Sequence, residues 1–341
     1  MAGLPSAQRS ANRGANQLGA NQLGAHQRGA NQRSANQRSV NQRASQSANL
    51  QPANRKRSTV VTLVLATCLS SGLSSVLAPQ AFAEATKEFR YTVGPHANIS
   101  VDTQYGAISV KPGSDNQVVV TAILKSNNVE VDQQQMGNRI EIASHLLRGT
   151  DQPTGQVDYE LLIPPDATVT LRSATGPLSA ERLQGDLTME GAEAAVSVRQ
   201  VENCHVHVRT MRGPITLIDV RNGHVEISSI SGDIHLKSVT GPLVQVSSGR
   251  GTIFYDGDFG SGGDYRFTTH NGDIEALVPT DVSAGFRAHS VLGKVQHDFP
   301  LKPRHSRFTE EVGRSFIGST GQASSEVVLR SFSGRIRLKQ R

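Results

Sequence analysis

The chain has no tryptophan, only two cysteines and few aromatic residues, 4% of its length. Scarce aromatics argue against sugar-stacking clefts and base-stacking platforms. Of the cysteines, Cys68 lies in an apolar leader and Cys204 is the single thiol beyond it. A lone cysteine forms no internal disulfide, and two so far apart do not suggest a metal site. Acidic residues are absent from the first 83 positions, which hold nine basic ones. The net charge of +6 therefore belongs to the leader: the remainder carries 26 basic against 29 acidic residues, about −3. Attraction to a phosphate backbone loses its main support, and no nucleic-acid partner is expected. Neither Gly-x-Ser-x-Gly nor a phosphate-binding glycine loop occurs, leaving hydrolase and nucleotide readings without an anchor.

Three segments follow from composition. Residues 1–54 are a basic, low-complexity leader with a five-residue beat, as in Gly19-Ala-Asn-Gln-Leu23 and Gly29-Ala-Asn-Gln-Arg33. With almost no large apolar side chains, this tract is expected to be disordered. Residues 55–83 have the layout of a secretory signal peptide: basic Arg55-Lys56-Arg57, an apolar run from Val60 to Leu77, and Ala81-Phe82-Ala83 before Glu84. Cleavage is expected between Ala83 and Glu84. The alternative is an uncleaved membrane anchor, although several serines dilute the run. A lipoprotein reading through Cys68 is weaker, because Thr67 is large for the position before the cysteine. An exported protein in the periplasm, at the cell surface or outside the cell is the resulting expectation, with membrane contact only through an uncleaved leader.

Residues 84–341 read as β throughout. Short alternating runs such as Phe89–Val93, Val118–Ala122 and Val157–Leu161 are half-buried strands. Segments 144–156 and 302–325 are expected to be polar loops. Between them one phrase returns: Gly176-Pro-Leu178, Gly185-Asp-Leu187, Gly213-Pro-Ile215, Gly223-His-Val225, Gly232-Asp-Ile234, Gly241-Pro-Leu243 and Gly251-Thr-Ile253, with degenerate copies at Ala194-Ala-Val196 and Cys204-His-Val206. The apolar anchors recur every nine or ten residues. A second inward position follows two residues later (Met189, Val198, Val208, Leu217, Ile227, Leu236, Tyr255), and a third closes the unit (Leu183, Val201, Val220, Ile230, Val239). A strand of about five residues plus a glycine corner, repeated at near-constant pitch, predicts a β-solenoid with two strands per coil of about nineteen residues. Ile274 and Val295 are expected to continue the stack, with Ile336 in a final repeat.

Asn271-Gly-Asp-Ile-Glu-Ala-Leu-Val-Pro279, Ser290-Val-Leu-Gly-Lys-Val295, Val327–Ile336, Tyr105–Val110 and Leu162-Ile-Pro-Pro-Asp166 resemble the bacterial putative-adhesin family of β-strand-repeat proteins. That resemblance implies an exported, single-stranded, right-handed β-helix-like solenoid. It carries no catalytic residues across, since the family's members are mostly of unknown function.

Candidate sites are sparse. His205 and His224, nineteen residues apart, are expected to stack in adjacent coils with Asp186 one coil earlier. Such a row suits Zn²⁺ or another imidazole-preferring ion, but a solenoid ladder aligns any residue type, so a solvated polar ladder without metal is the expectation. Asp186, Asp233 and Asp273 follow corner glycines; grouped carboxylates can hydrolyse glycosides, yet turn aspartates more often bond backbone. The loop containing Asp256, Asp258 and Asp264 lacks EF-hand spacing, and His145 and Arg148 are expected in a solvated loop. No catalytic residue and no cofactor is expected. The function expected is a non-enzymatic adhesion or interaction module for an envelope or extracellular protein or glycan. The alternatives are a carbohydrate-active β-helix enzyme and a membrane-anchored envelope-stress or signalling accessory.

Overall fold

The computed structural model describes residues 84–149, 151, 154–303 and 313–341. The leader and the expected cleavage position lie outside them, apart from Glu84. The described chain is all-β and is built as a solenoid of two facing sheets, one of 13 strands and one of 12. Among the described residues no helix is long and apolar enough to cross a membrane.

The N-terminal section contains β1 (Ala85–Thr92), β2 (Asn98–Tyr105), β3 (Ile108–Pro112), β4 (Gln117–Leu124), β5 (Val129–Met136), β6 (Arg139–Leu146) and β7 (Val157–Ile163). The regular coils follow as β8 (Thr168–Thr175), β9 (Leu178–Glu181), β10 (Leu187–Glu193), β11 (Val196–Glu202), β12 (His205–Arg212), β13 (Ile215–Arg221), β14 (His224–Ser231), β15 (Ile234–Val239), β16 (Leu243–Arg250) and β17 (Ile253–Asp256). From β8 to β17 even-numbered strands lie in the larger sheet and odd-numbered ones in the smaller, each paired in parallel with the strand two further along the chain. The pairing of Val206 with Val225 and of Ile215 with Ile234 fixes the coil at nineteen residues, as the sequence predicts.

Alternation places the core. Leu187, Val206, Val225 and Val244 line the larger sheet's inner face, opposite Val196, Ile215, Ile234 and Ile253 of the smaller one, and all are buried. One anchor departs from expectation. The Gly241-Pro-Leu243 phrase sits one residue earlier in its coil than Gly223-His-Val225 does, so Val244, nineteen residues after Val225, takes the inward slot and Leu243 stands beside His224 in the outward row. A second departure lies at the third inward position of the larger sheet. Leu183, Val201, Val220 and Val239 are buried as expected, but Ile230 is 60% exposed. The inward slot beside it holds Ser229, and that row is a buried hydroxyl ladder, Thr103, Ser173, Thr210, Ser229, Ser248, Thr269, Ser331 and Ser290, broken only at Gly191 between Ser173 and Thr210.

The ladder explains the corner glycines. Ser173 donates to the Gly106 carbonyl at 3.1 Å, Ser331 to that of Gly272 at 3.0 Å and Ser290 to that of Gly334 at 2.6 Å. The same carbonyls are what any side chain at the next coil's corner would strike. Gly232 has φ of +142°, and a Cβ on it would fall 2.1 Å from the Gly213 carbonyl oxygen. Only glycine allows coils to approach this closely at that corner.

The C-terminal section contains β18 (Asp264–Asn271), β19 (Ile274–Val278), β20 (Ala284–Ser290), β21 (Val295–His297), β22 (Lys302–Pro303), β23 (Ser315–Ser319), β24 (Ser325–Ser331) and β25 (Ile336–Gln340). Here sequential stacking breaks: β24 inserts between β18 and β20, and β25 between β19 and β21. Ile336 therefore pairs with both Ile274 and Val295, which do not pair with each other. The chain's last coil is thus held on two sides, and an earlier coil takes the end of the stack. The expected loop 302–325 contains β23, which pairs antiparallel with β20. Its Ser–Phe–Ile run satisfies backbone groups that a long loop would leave open. Likewise Ser144, His145 and Leu146 belong to β6, so the loop begins after them.

At the other end β6 and β7 lie outside the β2–β3 coil, with β5 antiparallel to β6 and β4 antiparallel to both β7 and β1. Tyr91 of β1 donates to Gln133 of β5 at 2.8 Å, tying the two edge strands across the opening between the sheets. Towards the C-terminal end the core becomes aromatic. Phe259, in the loop after β17, is fully buried and stacks on Tyr255 with centroids 4.3 Å apart.

Two stability outcomes follow. Gly232→Ala should cost about 3 kcal/mol or more in equilibrium denaturation, because backbone must move. Gly137→Ala, at φ +61° with open space around it, should cost only about 1–2 kcal/mol. Equal losses would refute the close-approach account. The buried Ser248 hydroxyl has no hydrogen-bond partner among the described residues. Ser248→Ala should therefore fall within about 0.5 kcal/mol of neutral or stabilise, while Ser331→Ala should cost about 1–2 kcal/mol in the same assay.

Candidate functional site

Hydrogen-bond register brings Asp186, His205 and His224 into one outward row of the larger sheet, as the nineteen-residue spacing requires. His205 and His224 face each other with ring centroids 5.2 Å apart and planes inclined by 42°. Asp186 Oδ1 accepts two bonds from His205, from the backbone N–H and from ring Nδ1, both at 2.9 Å. Desolvation alone would raise the Asp186 carboxyl; the two bonds and the His205 charge outweigh it and hold the carboxyl below its ordinary range.

The sequence reading missed the second row. His207 stands beside Glu226 two residues further along the same strands. Glu226 Oε1 lies 3.3 Å from His224 Nε2, and its Oε2 lies 3.5 Å from His207 Nδ1. The signal was present: His205-Val-His207 and His224-Val-Glu226 are one coil apart, so period two and period nineteen together make a two-by-two array. Among the described residues, no group of three such donors already converges to hold a metal ion.

The three corner aspartates do not form a common site. Asp186 precedes a strand of the larger sheet, whereas Asp233 and Asp273 precede β15 and β19 of the smaller one. Each caps backbone of a neighbouring coil. Asp233 accepts from Thr252 N–H at 2.8 Å, and Asp273 accepts from Arg335 N–H at 2.8 Å while pairing with the Arg335 guanidinium. A corner carboxylate that accepts the neighbouring coil's N–H is therefore a structural part of the ladder. Asp258 likewise accepts from Gly260 N–H, Asp264 pairs with Arg266, and Asp256 pairs with Arg341. His145 lies on β6, 3.7 Å from Asp132 across the β5–β6 hairpin, and Arg148 is exposed just beyond. Cys204 is buried, and desolvation, with Asp186 and Glu202 nearby, pushes its thiol up to about 11, away from nucleophilic reactivity.

A second outward feature was also missed. At the end of the larger-sheet strands, register aligns Ala174, Ala192, Met211, Ile230, Gly249, His270, Phe332 and Val291, one per coil. Met211, Ile230 and Phe332 are 54%, 60% and 43% exposed, and Leu292 continues the apolar line. Phe332 stacks on His270 with centroids 4.7 Å apart. Counting Ile230 inward concealed this row.

The sequence matches the family described as toastrack DUF4097 over residues 96–339. The chain belongs to that family. Comparison with solved structures also matches the chain to proteins described as putative adhesins or a putative cell adhesion protein. The chain covers 75% of its length against 98% of a putative adhesin from Bacteroides fragilis, at 12% identity and a TM-score of 0.42. Against a putative cell adhesion protein from Clostridium sporogenes it covers 75% of its own length and 100% of the other, at 13% identity and a TM-score of 0.29. A putative adhesin from Parabacteroides distasonis gives 12% identity, 75% and 97% coverage and a TM-score of 0.33. No curated protein matches.

The role of Asp186 has a pH signature. A carboxyl lowered in the folded state contributes stability that is complete above its unfolded value and is lost as pH falls through the lower folded one. Asp186→Asn should reduce stability at neutral pH by less than about 1 kcal/mol, as expected for a group this exposed. The difference should vanish in strong acid. A gap of equal size at both pH values, by chemical denaturation, would exclude a charge effect.

Proposed function

We propose that the chain is an exported, non-enzymatic interaction module of the cell envelope, and that its partner is a protein. The observation that carries this reading is the exposed apolar line through Met211, Ile230, Phe332, Val291 and Leu292. Elsewhere the outward rows of the larger sheet are mainly Ser, Thr, His, Glu, Gln and Arg, as a sheet facing water on one side requires. Two exposed apolar groups, Met211 with Ile230 and Phe332 with Val291 and Leu292, share the outside of one corner with Gly249 and His270 between them, and exposed apolar patches mark contact surfaces. Arg209, Arg250 and Arg330 are exposed beside it, an arrangement that suits a partner with acidic residues around an apolar strip. An apolar line favours protein over glycan as the partner. Export is supported by the signal-like layout of residues 55–83. The shallow grooves of the surface suit contact along a face better than enclosure of a small substrate.

Fractionation with N-terminal sequencing tests export: a chain beginning at Glu84 outside the cytoplasm is expected, and intact Met1 in the cytosol would defeat it. Pull-down from envelope fractions, with a glycan array and product analysis alongside, tests the activity. Replacing Met211, Ile230 and Phe332 together by serine should weaken capture at least about tenfold while lowering the denaturation midpoint far less than a core truncation would, since about half of each side chain is already in water. Turnover of a glycan, or capture unaffected by the triple change, would overturn the reading.

A further inference from the structure

We propose that His205, His224 and Glu226 form a surface site for a divalent transition-metal ion, Zn²⁺ being the natural probe, with Asp186 orienting His205. The inference does not depend on the interaction reading above.

The distances carry it. Ligand bonds of about 2.0–2.1 Å in a tetrahedral zinc site place two donor atoms about 3.3–3.4 Å apart, and the centroids of two bound imidazoles about 5 Å apart. His224 Nε2 and Glu226 Oε1 are 3.3 Å apart, and the His205 and His224 rings are 5.2 Å apart. The first separation therefore matches an edge of a tetrahedral coordination polyhedron, and the second suits two imidazoles bound to one ion. They arise because adjacent rungs of a parallel ladder stand about 4.8 Å apart, with His205 directly beside His224 and Glu226 two residues further on.

Asp186 supplies the other half of the arrangement. Its carboxylate accepts a hydrogen bond from His205 Nδ1, so Nε2 is the nitrogen left with a lone pair when the ring is neutral. A carboxylate on the far nitrogen fixes the tautomer and raises the basicity of the donor nitrogen, as in many histidine–metal sites. Asp186 is itself locked by the His205 backbone N–H. His205 is largely exposed, so its ring has room to turn towards the His224–Glu226 edge. That turn is what converts the present array, in which no three donors converge, into a three-ligand site with water in the fourth position. His207, 3.5 Å from the other oxygen of Glu226, holds that carboxylate from the opposite side.

Isothermal titration of the untagged full-length chain with Zn²⁺ tests the assignment, with imidazole proton resonances followed by NMR. One ion per chain is expected, with the His205 and His224 signals shifting together. His224→Ala and Glu226→Gln should each weaken binding by about tenfold or more, and Asp186→Asn by about tenfold through orientation alone. Zn²⁺ should raise the thermal midpoint of the wild type and not that of the His205→Ala/His224→Ala pair. Denaturation without metal shows whether that pair folds; if it does not, the Glu226→Gln chain decides. No saturable binding, or binding undiminished in the pair and so attributable to His26 or other donors, would overturn the proposal.

Discussion

The structure depends on how closely successive coils approach at one corner, where the carbonyl of a glycine faces the α-carbon of the next. At Gly176 and Gly334 that space holds no Cβ. Closeness there exposes a problem in hydrogen bonding, since a corner carbonyl turned out of the strand ladder needs a donor. The inward hydroxyls answer it: Ser173, Thr269, Ser331 and Ser290 each donate to the corner carbonyl of the adjacent coil. At these four corners glycine and hydroxyl are two halves of one device, at the cost in those coils of a core position that could have been apolar. The close approach sets the pitch at which the residues outside the solenoid are displayed.

That pitch governs the surface chemistry. Parallel in-register stacking makes residues nineteen apart in sequence neighbours about 4.8 Å apart in space. A row of one residue type becomes a line, and two rows become a grid. The line through Met211 and Ile230 and the grid of His205, His207, His224 and Glu226 are products of the same register. Neither needs a pocket or a loop insertion, and both sit on a frame whose backbone bonds are satisfied by neighbours on either side.

Much of this was legible in the chain. The nine-to-ten beat gave the two-strand coil, and the pairing of His205 with His224 followed from it. What stayed hidden has physical causes. Ile230 looked inward because apolar residues usually are, yet period-two alternation lets only one of Ser229 and Ile230 face the core, and Ser229, which accepts from Thr210, holds the inward slot of the hydroxyl row. Leu243 was misplaced because its glycine phrase sits one residue early in the coil, whereas the nineteen-residue register puts Val244 inward, and a shift of one residue exchanges the faces. The insertion of β24 and β25 between earlier coils was invisible because local pattern records strand identity, whereas neighbour choice is settled by long-range pairing. Ile336 reads as one more repeat and does not state that Ile274 and Val295 flank it.

The corner aspartates show how such a frame separates scaffold from surface chemistry. Asp186, Asp233 and Asp273 share a sequence context and a job, accepting the N–H of the neighbouring coil. What differs is the residue whose N–H they accept. For Asp233 it is Thr252, which adds no titratable group, and for Asp273 it is Arg335, whose guanidinium closes an ion pair. For Asp186 it is His205, whose ring turns a structural cap into the back of a donor set. The same backbone device therefore becomes chemically different according to one side chain in the next coil. In a repeat protein, then, activity is sought where an outward row departs from its neighbours, because the inward rows and the corners are already committed to holding the coils together.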